Sequence, residues 1–525
     1  MTLTENNCTN DLQDKWPTLI VGAGTVGLFL AHELMKKGEK IVLIEAGGDT
    51  IQSFHSNEYK SIGHSLDGVS IGRTKGIGGT SNLWGGQLTE FIENDIDEKG
   101  ALGQPLWPIS WNEVNRYYLE TYNKLGFSNS WKNNKEKLSS SEQEKYLELF
   151  YTRWIKQPNF KYHFLHELMN SNLVTIILNA TVTNMFFTDR ECYSIEIIKN
   201  GRKERIDEFK RLVLANGTIE ICRLLLISLK SKNCPFMSNR WIGKYFQDHI
   251  NLRVGQIIKP SRSFFERFSN IVRDGEKLQP KIRIRSNKED NNYLGISGIF
   301  TFDSNVAHHI DNIKQFGKAI LGQSKEKHRL IDLVKMFIKM TRAIPQIILI
   351  IYNYIKHNRI YIPYNSKVTL AIQAQQISIP ESSISLSDDE YDDFGRPKVL
   401  VNWQIDGNEF NNIRDFCNKI REYLNENGFG NLQFTKWFED ECINHRGIWI
   451  KQIFDSYHQA GGAIMSNSND YGVVDWNLKV HDTNNVFVCG ACVLPTSSSG
   501  NTGLTALALT LRLAGYLTKK QEVKQ

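Results

Sequence analysis

The sequence lacks a long hydrophobic run, a strong net charge and any dense basic segment. No uninterrupted apolar stretch among its 525 residues approaches the roughly 20 residues needed to cross a bilayer. The 63 basic and 57 acidic residues leave a net charge of +6, which is mild, and no basic run could follow a phosphate backbone. We therefore expect no nucleic acid partner, and the 41% apolar and 23% charged residues are typical of a globular enzyme.

Signals for export or membrane anchoring are also missing. The polar segment Met1–Trp16 does not have the basic-then-apolar build of a signal peptide. The basic, apolar stretch 325–342 has helical periodicity and leads into 344–355, which Pro345 interrupts. These segments predict a helix packed over a substrate domain, with peripheral membrane contact as the less favoured alternative. We therefore expect a cytoplasmic protein.

The cysteines do not form an obvious disulfide or metal framework. The one close pair, Cys489 and Cys492, lies in the apolar segment 486–495, which predicts a buried strand running into a turn. A redox or metal role would require a helix start or a second pair at ligand spacing. We therefore predict buried free thiols and no metal site.

The order of elements near residue 20 is typical of a dinucleotide-binding unit. A short apolar run at 19–21 ends in a glycine-rich turn at 22–27, and a helix is predicted over 28–37. A second apolar strand at 40–45 ends in an acid, Glu45. This order predicts a nucleotide cofactor but does not by itself separate FAD from NAD.

Each residue of that unit has a physical role. Gly22 permits the tight turn, Gly24 lets the backbone approach a pyrophosphate, and Gly27 lets helix and strand pack closely. The helix N-terminus offers free amides to the phosphates. Glu45 is expected to bind the ribose hydroxyls.

A second glycine-rich segment, Arg73–Gly86, indicates a backbone pressed against a large flat ligand. Trp84 and the hydroxyl pair Thr80–Ser81 argue against a simple linker. Here the chain resembles the glucose-methanol-choline (GMC) oxidoreductase family, in which such a loop wraps the FAD pyrophosphate and the flavin edge. The single glycine fingerprint also disfavours NAD as redox partner.

The resemblance extends over most of the chain and is poorest between Pro260 and Tyr364. In it, Val182 belongs to a strand, 172–182, whose backbone meets adenine, while Asp248 and His249 are interpreted as structural residues. Further segments are similar to the family at Trp107–Tyr118, Arg211–Leu226, Ile242–His249, Pro380–Leu386 and Asp393–Pro397.

The implied fold is α/β, with a Rossmann-like, discontinuous FAD-binding domain and an α+β substrate domain that contains an antiparallel sheet. Residues 1–98, 171–255 and 455–525 are expected to form the three pieces of the FAD domain. Residues 99–170 are expected to form the FAD lid and connecting helices, and 256–454 the substrate-binding domain.

The resemblance assigns the chemistry to His458 and Asn501. In the family, a histidine before a glycine pair, here Gly461–Gly462, faces flavin N5, and a second residue, histidine or asparagine, precedes the final helix. His458 suits a base that takes the alcohol proton during hydride transfer, and Asn501 suits a group that positions the alcohol. The start of the final helix, near Gly503, is expected to stabilise charge on the flavin.

The resemblance also implies a set of FAD contacts. These are expected at Gly22, Gly24, Thr25, Val26, Gly27, Glu45, Ala46, Arg73, Gly78, Gly79, Thr80, Asn82, Leu83, Trp84, Gly85, Gly86, Val182, Ala215, Gly217, Gly490, Ala491, Asn501, Thr502 and Thr505. Relatives with covalent FAD carry a histidine near the loop that here reads 81–84. Because none stands there, we expect FAD to be bound without a covalent link.

Two details indicate the substrate class. The motif Asn82-Leu83-Trp84 resembles that of the bacterial sugar dehydrogenase and pyranose oxidase branch. Thr502, which stands after Asn501 where a proline is missing, points to the same branch. We therefore expect a sugar, aminosugar or cyclitol-like alcohol, with oxygen or another carrier as electron acceptor. The alternatives are a non-redox flavoprotein of the lyase or decarboxylase type, and a membrane-associated dehydrogenase subunit that passes electrons to a haem or quinone partner.

Overall fold

The computed structural model describes residues 18–54, 58–96, 101–128, 146–207, 209–285, 293–303, 348–356 and 358–519. The predicted helix 325–342 and the start of the 344–355 segment lie outside these residues, whereas 348–356 is helical. Within the described ranges, no helix combines the length and the apolar character that crossing a membrane requires.

A five-stranded parallel sheet forms the centre of the nucleotide-binding part. Its strands are short apolar runs that are buried on both faces, which is typical of parallel sheets covered by helices. In spatial order they are Val486–Val488, Leu212–Leu214, Thr18–Val21, Ile41–Ile44 and Val174–Ile177. The sheet thus draws strands from three distant stretches of chain, as a discontinuous Rossmann-like domain requires.

Helices cover this sheet. The first runs from Thr25 to Lys36, three residues earlier than predicted at its start, and the final helix, Gly503–Thr518, packs against it and against Trp111–Lys124. The remaining helices are Glu93–Ile96, Phe160–Met169, Thr218–Ser228, Arg262–Phe268, Glu409–Glu426 and Lys436–Asn444.

A large antiparallel sheet, here called the substrate-side sheet, forms the second layer. Its main path runs through Asn431–Phe434, Ile250–Ile258, Lys367–Ala374, Ile296–Asp303, Glu276–Ile284, Leu147–Trp154 and Gln87–Leu88, with Ile271–Arg273 added beside Glu276–Ile284. One face packs on a core of aromatic and aliphatic side chains that includes Phe264, Phe300 and Phe416.

Three small sheets complete the fold. They comprise Ala180–Thr188 with Glu191–Lys199 and Arg202–Asp207, Ser383–Tyr391 with Pro397–Asn402 and Tyr59–Ser61, and Gln52–Ser53 with Thr74–Lys75. The hairpin predicted around Asp393–Pro397 is therefore present.

The predicted strand 172–182 is wrong as a single element. The chain forms one strand at Val174–Ile177, turns at Asn179, whose φ is 54°, and begins a second strand at Ala180. Because the turn transfers the chain from the parallel to an antiparallel sheet, Val182 lies in a different sheet from Ile177.

The fold class expected from the sequence is confirmed, while the five domain boundaries stay a prediction. The segment containing Cys489 and Cys492 is a strand, Val486–Val488, followed by a turn, and both thiols are buried and free. Burial raises the pKa of Cys489 to about 12, which is unfavourable for thiolate chemistry. In the described part of the chain, no cluster of three or more histidine, cysteine or acidic side chains could hold a metal.

Candidate active site

A groove lies at the carboxyl ends of the parallel strands, where ligands bind in open α/β sheets. The turn at its base requires glycine. Gly22 has a φ of 101°, and a Cβ there would lie 2.7 Å from the Ala215 carbonyl oxygen. A Cβ on Gly27 would lie 1.8 Å from the Gly22 carbonyl oxygen, so the helix can approach the strand this closely only without a side chain.

Glu45 joins the turns that surround the groove. Its carboxylate accepts hydrogen bonds from the backbone N–H groups of Ala23 at 2.8 Å, and of Gly47 and Gly76 at 2.9 Å each. Burial raises the pKa of Glu45, and these N–H groups act in the opposite direction. The acid predicted to bind a ribose therefore also holds both glycine-rich segments together.

Most of the predicted cofactor contacts line this one groove. The space between its walls, with the open mouth included, is about 1610 Å³. The predicted residues that line it are Gly22, Gly24, Thr25, Val26, Glu45, Ala46, Arg73, Gly79, Thr80, Trp84, Val182, Ala215, Gly217, His458, Gly490, Ala491, Asn501 and Thr502.

The other predicted residues support the groove from behind. Gly27 packs the helix, Gly85 lies against the Trp154 ring, and Gly86 lies against Ile155 and Pro158. Thr505 is buried, with its hydroxyl 2.9 Å from the Tyr118 hydroxyl.

The loop 78–83 is held by its own side chains. Gly78 adopts a φ of 94°, and the Asn82 amide donates to the carbonyls of Ile77 and Gly79 and accepts from Asn159. Leu83 is half exposed and does not line the groove. Asn82 thus shapes the loop, while Gly79 and Thr80 face the groove.

An ionic cluster that sequence reasoning missed also lines the groove. Arg396 pairs with Glu220 at 3.3 Å and with Asp392 at 2.8 Å, while Lys75 pairs with Glu58 at 2.7 Å. Burial alone would raise the pKa of Glu220, but Arg396 and the neighbouring arginines lower it to about 2. Glu58, Glu220 and Arg396 are far apart in sequence, and no motif connects them.

The second missed feature is a contact between two histidines. His249 is fully buried, and its Nδ1 lies 3.1 Å from Nδ1 of His458, while its Nε2 lies 3.2 Å from the Ser497 carbonyl oxygen. Burial lowers the pKa of His249 to about 4, so its ring is neutral. Because a carbonyl oxygen only accepts, the His249 proton is on Nε2 and Nδ1 accepts.

This arrangement determines the tautomer of His458. Its Nδ1 must donate to His249, so the Nε2 of a neutral His458 carries a free lone pair. Burial, His249 and Lys281 all lower the pKa of His458 well below the ordinary histidine value. The ring is therefore neutral at neutral pH, with an available proton acceptor.

Asp248 positions the backbone around both histidines. Its Oδ1 accepts from the backbone N–H groups of His249 at 2.7 Å, and of Ser456 and His458 at 3.2 Å each. Burial and the nearby Asp455 raise the pKa of Asp248 to about 7. Asp248 thus ties the segment 456–458 to the start of the strand Ile250–Ile258. His249, the next residue, contacts the His458 ring.

Asn501 is placed across the same groove. Its Nδ2 donates to the Gln87 carbonyl at 3.3 Å, and its buried Oδ1 has no hydrogen-bond partner among the described residues. A buried amide oxygen without a partner is costly, so a bound molecule that donates a hydrogen bond would be stabilised here.

Comparison with known proteins agrees with this geometry. Residues 379–510, which include the arginine of the ionic cluster, His458 and Asn501, match the family model described as GMC oxidoreductase. This C-terminal part of the chain is therefore similar to GMC oxidoreductases. No curated protein sequence matches the chain at a significant level.

Solved structures of flavin-dependent oxidases and oxidoreductases are similar in fold to nearly the whole chain. Pyridoxine 4-oxidase from Mesorbium loti has 13% identity and a TM-score of 0.57, with 95% of this chain and 98% of that chain covered. An FAD-dependent oxidoreductase from Chaetomium thermophilum has 14% identity, a TM-score of 0.58 and the same coverage. A fungal aryl-alcohol oxidase has 13% identity and a TM-score of 0.57, with 96% and 99% covered.

The groove fits FAD on physical grounds. The close approach of Gly22 and Ala215 leaves bare backbone for a pyrophosphate, and the first helix begins at Thr25 beside it. Asn216 adds a buried Oδ1 that has no partner among the described residues and faces a groove able to supply one. His458 and Asn501 line the same groove.

Proposed function

We propose that the protein oxidises a CH–OH group of a sugar, aminosugar or cyclitol-like alcohol to a carbonyl, with His458 as base. The observation that carries this proposal is the contact between His458 and His249, because it leaves His458 Nε2 free to accept the hydroxyl proton. Bound FAD supplies the hydride acceptor.

Asn501 is proposed to position the alcohol. With one Nδ2 hydrogen donated to Gln87, the second can be donated to the alcohol oxygen, and the unpartnered Oδ1 can accept from a neighbouring hydroxyl. Two such contacts favour a substrate with adjacent oxygen atoms over a simple alcohol.

The polar face of the substrate-side sheet supports the same class. We define the polar face as Gln87, Thr152, Gln279, Lys281, Gln373 and Asn251, which alternate with core side chains along their strands. The Gln87 amide donates to Thr152 and to Gln279 at 2.6 Å each, and the Asn251 amide donates to Ser456, two residues before His458. Amide groups suit the recognition of several hydroxyls.

FAD is proposed to be bound without a covalent link. The loop residues 81–84 include no histidine, and Asn82 is occupied in holding the loop. Acid precipitation should therefore release the flavin into the supernatant. Flavin retained by the precipitated protein would contradict this part of the proposal.

Anaerobic bleaching of the flavin tests the reaction and the base together. The holoenzyme is mixed with sugars, aminosugars, cyclitols, sterols and simple alcohols, and with pyridoxine and an aryl alcohol because structural neighbours are named for them. A sugar or cyclitol should bleach the flavin, and His458→Ala should slow bleaching by about 10²- to 10⁴-fold, the usual contribution of a general base.

A matched histidine serves as control. His481 is half-buried and bonded to Ser466 at 3.2 Å, away from the groove, so His481→Ala should bleach at the wild-type rate. Bleaching by pyridoxine or the aryl alcohol alone would keep alcohol oxidation and refute the sugar class. A wild-type rate in His458→Ala would refute the base, and readmitting air then distinguishes oxygen from another acceptor.

A further inference from the structure

The polar face contains a buried cation without an acidic partner. Lys281 is 2% exposed, and its Nζ donates to Gln373 Oε1 at 3.2 Å, a neutral acceptor. Among the described residues no carboxylate lies within ion-pair distance of it. Burial of a charged side chain without a counter-charge is expensive, so this lysine needs an explanation.

The neighbours of Lys281 on the polar face lead to the two residues proposed to act on the substrate. Gln373, which it contacts, also donates to Ser456 at 3.4 Å, two residues before His458. In the other direction along its strand, Gln279 reaches Gln87, whose carbonyl accepts from Asn501. Lys281 therefore lies on a strand face whose neighbouring side chains contact residues near His458 on one side and Asn501 on the other.

The surroundings indicate the charge of the missing partner. Arg283, on the same face two residues further along, is already paired with Glu148, and Arg253 is exposed over the Phe454 ring. Among the cations that the structure describes on this face, Lys281 is left without an acid. It is flanked by the neutral amides of Gln373 and Gln279 and by the buried hydroxyl of Ser297 on a neighbouring strand. A group with a single negative charge and two acceptor oxygens suits this set better than a dianionic phosphate.

We propose that Lys281 binds a carboxylate of the substrate, so that the protein acts on alcohols that also carry a carboxylate, such as sugar acids. This inference rests on the proposed alcohol oxidation at His458 and narrows its substrate class. A carboxylate on Lys281 would hold the carbinol between His458 and Asn501, because the polar face extends to both.

The experiment uses matched pairs of compounds on the FAD-loaded enzyme. D-glucuronate is compared with D-glucose, and D-gluconate with D-glucitol, by the anaerobic bleaching rate and by the dissociation constant from the flavin absorption change. Wild type should favour the carboxylate member of at least one pair. Lys281→Met should weaken binding of that member about 10- to 150-fold, the usual range for a charged hydrogen bond, and should affect binding of the neutral member much less.

Two variants control for folding and for charge. Lys277→Met changes a lysine on the same strand whose Nζ lies 3.7 Å from the Trp154 ring centroid, and it should retain the carboxylate preference. Lys281→Arg keeps the cation and should retain part of the preference. Flavin content and the thermal midpoint identify any variant that fails to fold. If Lys281→Met fails to fold, the carboxylate preference of Lys281→Arg compared with that of Lys277→Met decides whether Lys281 binds the carboxylate.

The outcomes separate this inference from the proposed function. Carboxylate binding that depends on Lys281 without any bleaching would support the inference and refute the alcohol oxidation. Bleaching by neutral sugars with no carboxylate preference, or equal losses for both members in Lys281→Met, would refute the inference and leave the oxidation standing. Absence of carboxylate binding in wild type also overturns it.

Discussion

Replacing His249 should slow the reaction even though this residue does not touch the alcohol. In His249→Leu the Nδ1–H of His458 loses its buried acceptor. Leaving such a group unsatisfied costs about 1–3 kcal/mol. The His458 ring can avoid this cost by moving its proton from Nδ1 to Nε2, but Nε2 then has no lone pair and cannot accept the alcohol proton. Since about 1.4 kcal/mol corresponds to a factor of ten, we expect flavin reduction to be about 5- to 160-fold slower.

His249→Asn supplies the matched control. An asparagine amide oxygen can stand near the position of the histidine Nδ1 and accept from His458, so this variant should recover much of the rate. The assay is stopped-flow flavin reduction across pH, with flavin content measured beside it. If the leucine variant reduces flavin at the wild-type rate, or if both variants lose equally, His249 acts through packing alone and the tautomer argument is refuted.

Two further predictions concern the folded protein. Gly27→Ala should lower the free energy of unfolding by about 1–3 kcal/mol and reduce FAD content, because its Cβ would collide with the Gly22 carbonyl. Gly515→Ala in the final helix meets only the end of Lys37 at 4.0 Å and should be neutral or stabilising. Denaturant unfolding of both variants checks this, and equal effects would contradict it. Between pH 7 and 4 the lowered pKa of His249 makes stability fall as pH falls, whereas the raised pKa of Asp248 makes stability rise as pH falls. Asp248→Asn removes the second contribution, so its stability should drop more steeply than that of wild type over this range, by up to about 4 kcal/mol; parallel curves would show that Asp248 does not titrate as described.

Local patterns predicted the nucleotide-binding part well because its signals are contiguous. The turn at Gly22–Gly27 and the acid at Glu45 lie within 24 residues, and their spacing follows from one strand–helix–strand unit. His458 and Asn501 could be named because each lies in a short motif that resembles the family's. The break at Asn179 was missed because apolar residues continue through it and only the backbone angle marks the turn.

The rest of the site depends on contacts between distant segments. His249 contacts His458, from which it is separated by 209 positions in sequence. In the sequence alone, a histidine next to an aspartate is typical of a structural pair. Lys281 lies in the stretch with the poorest resemblance to the family. Lys281 stands out because it is buried with no carboxylate near its Nζ among the described residues. This depends on how the sheet packs, so the sequence alone could not predict it.

The order of strands in the parallel sheet affects how the protein is made. The strand Leu212–Leu214 pairs on one side with Thr18–Val21 and on the other with Val486–Val488. During synthesis its second edge therefore stays open until residue 488 has left the ribosome, and open strand edges attract other chains. His458, Asn501 and the final helix emerge just as late, so the nascent chain must remain soluble with an incomplete cofactor groove. Because Gly22, His458 and Asn501 all line this groove, it is complete only when segments from both ends of the chain have come together.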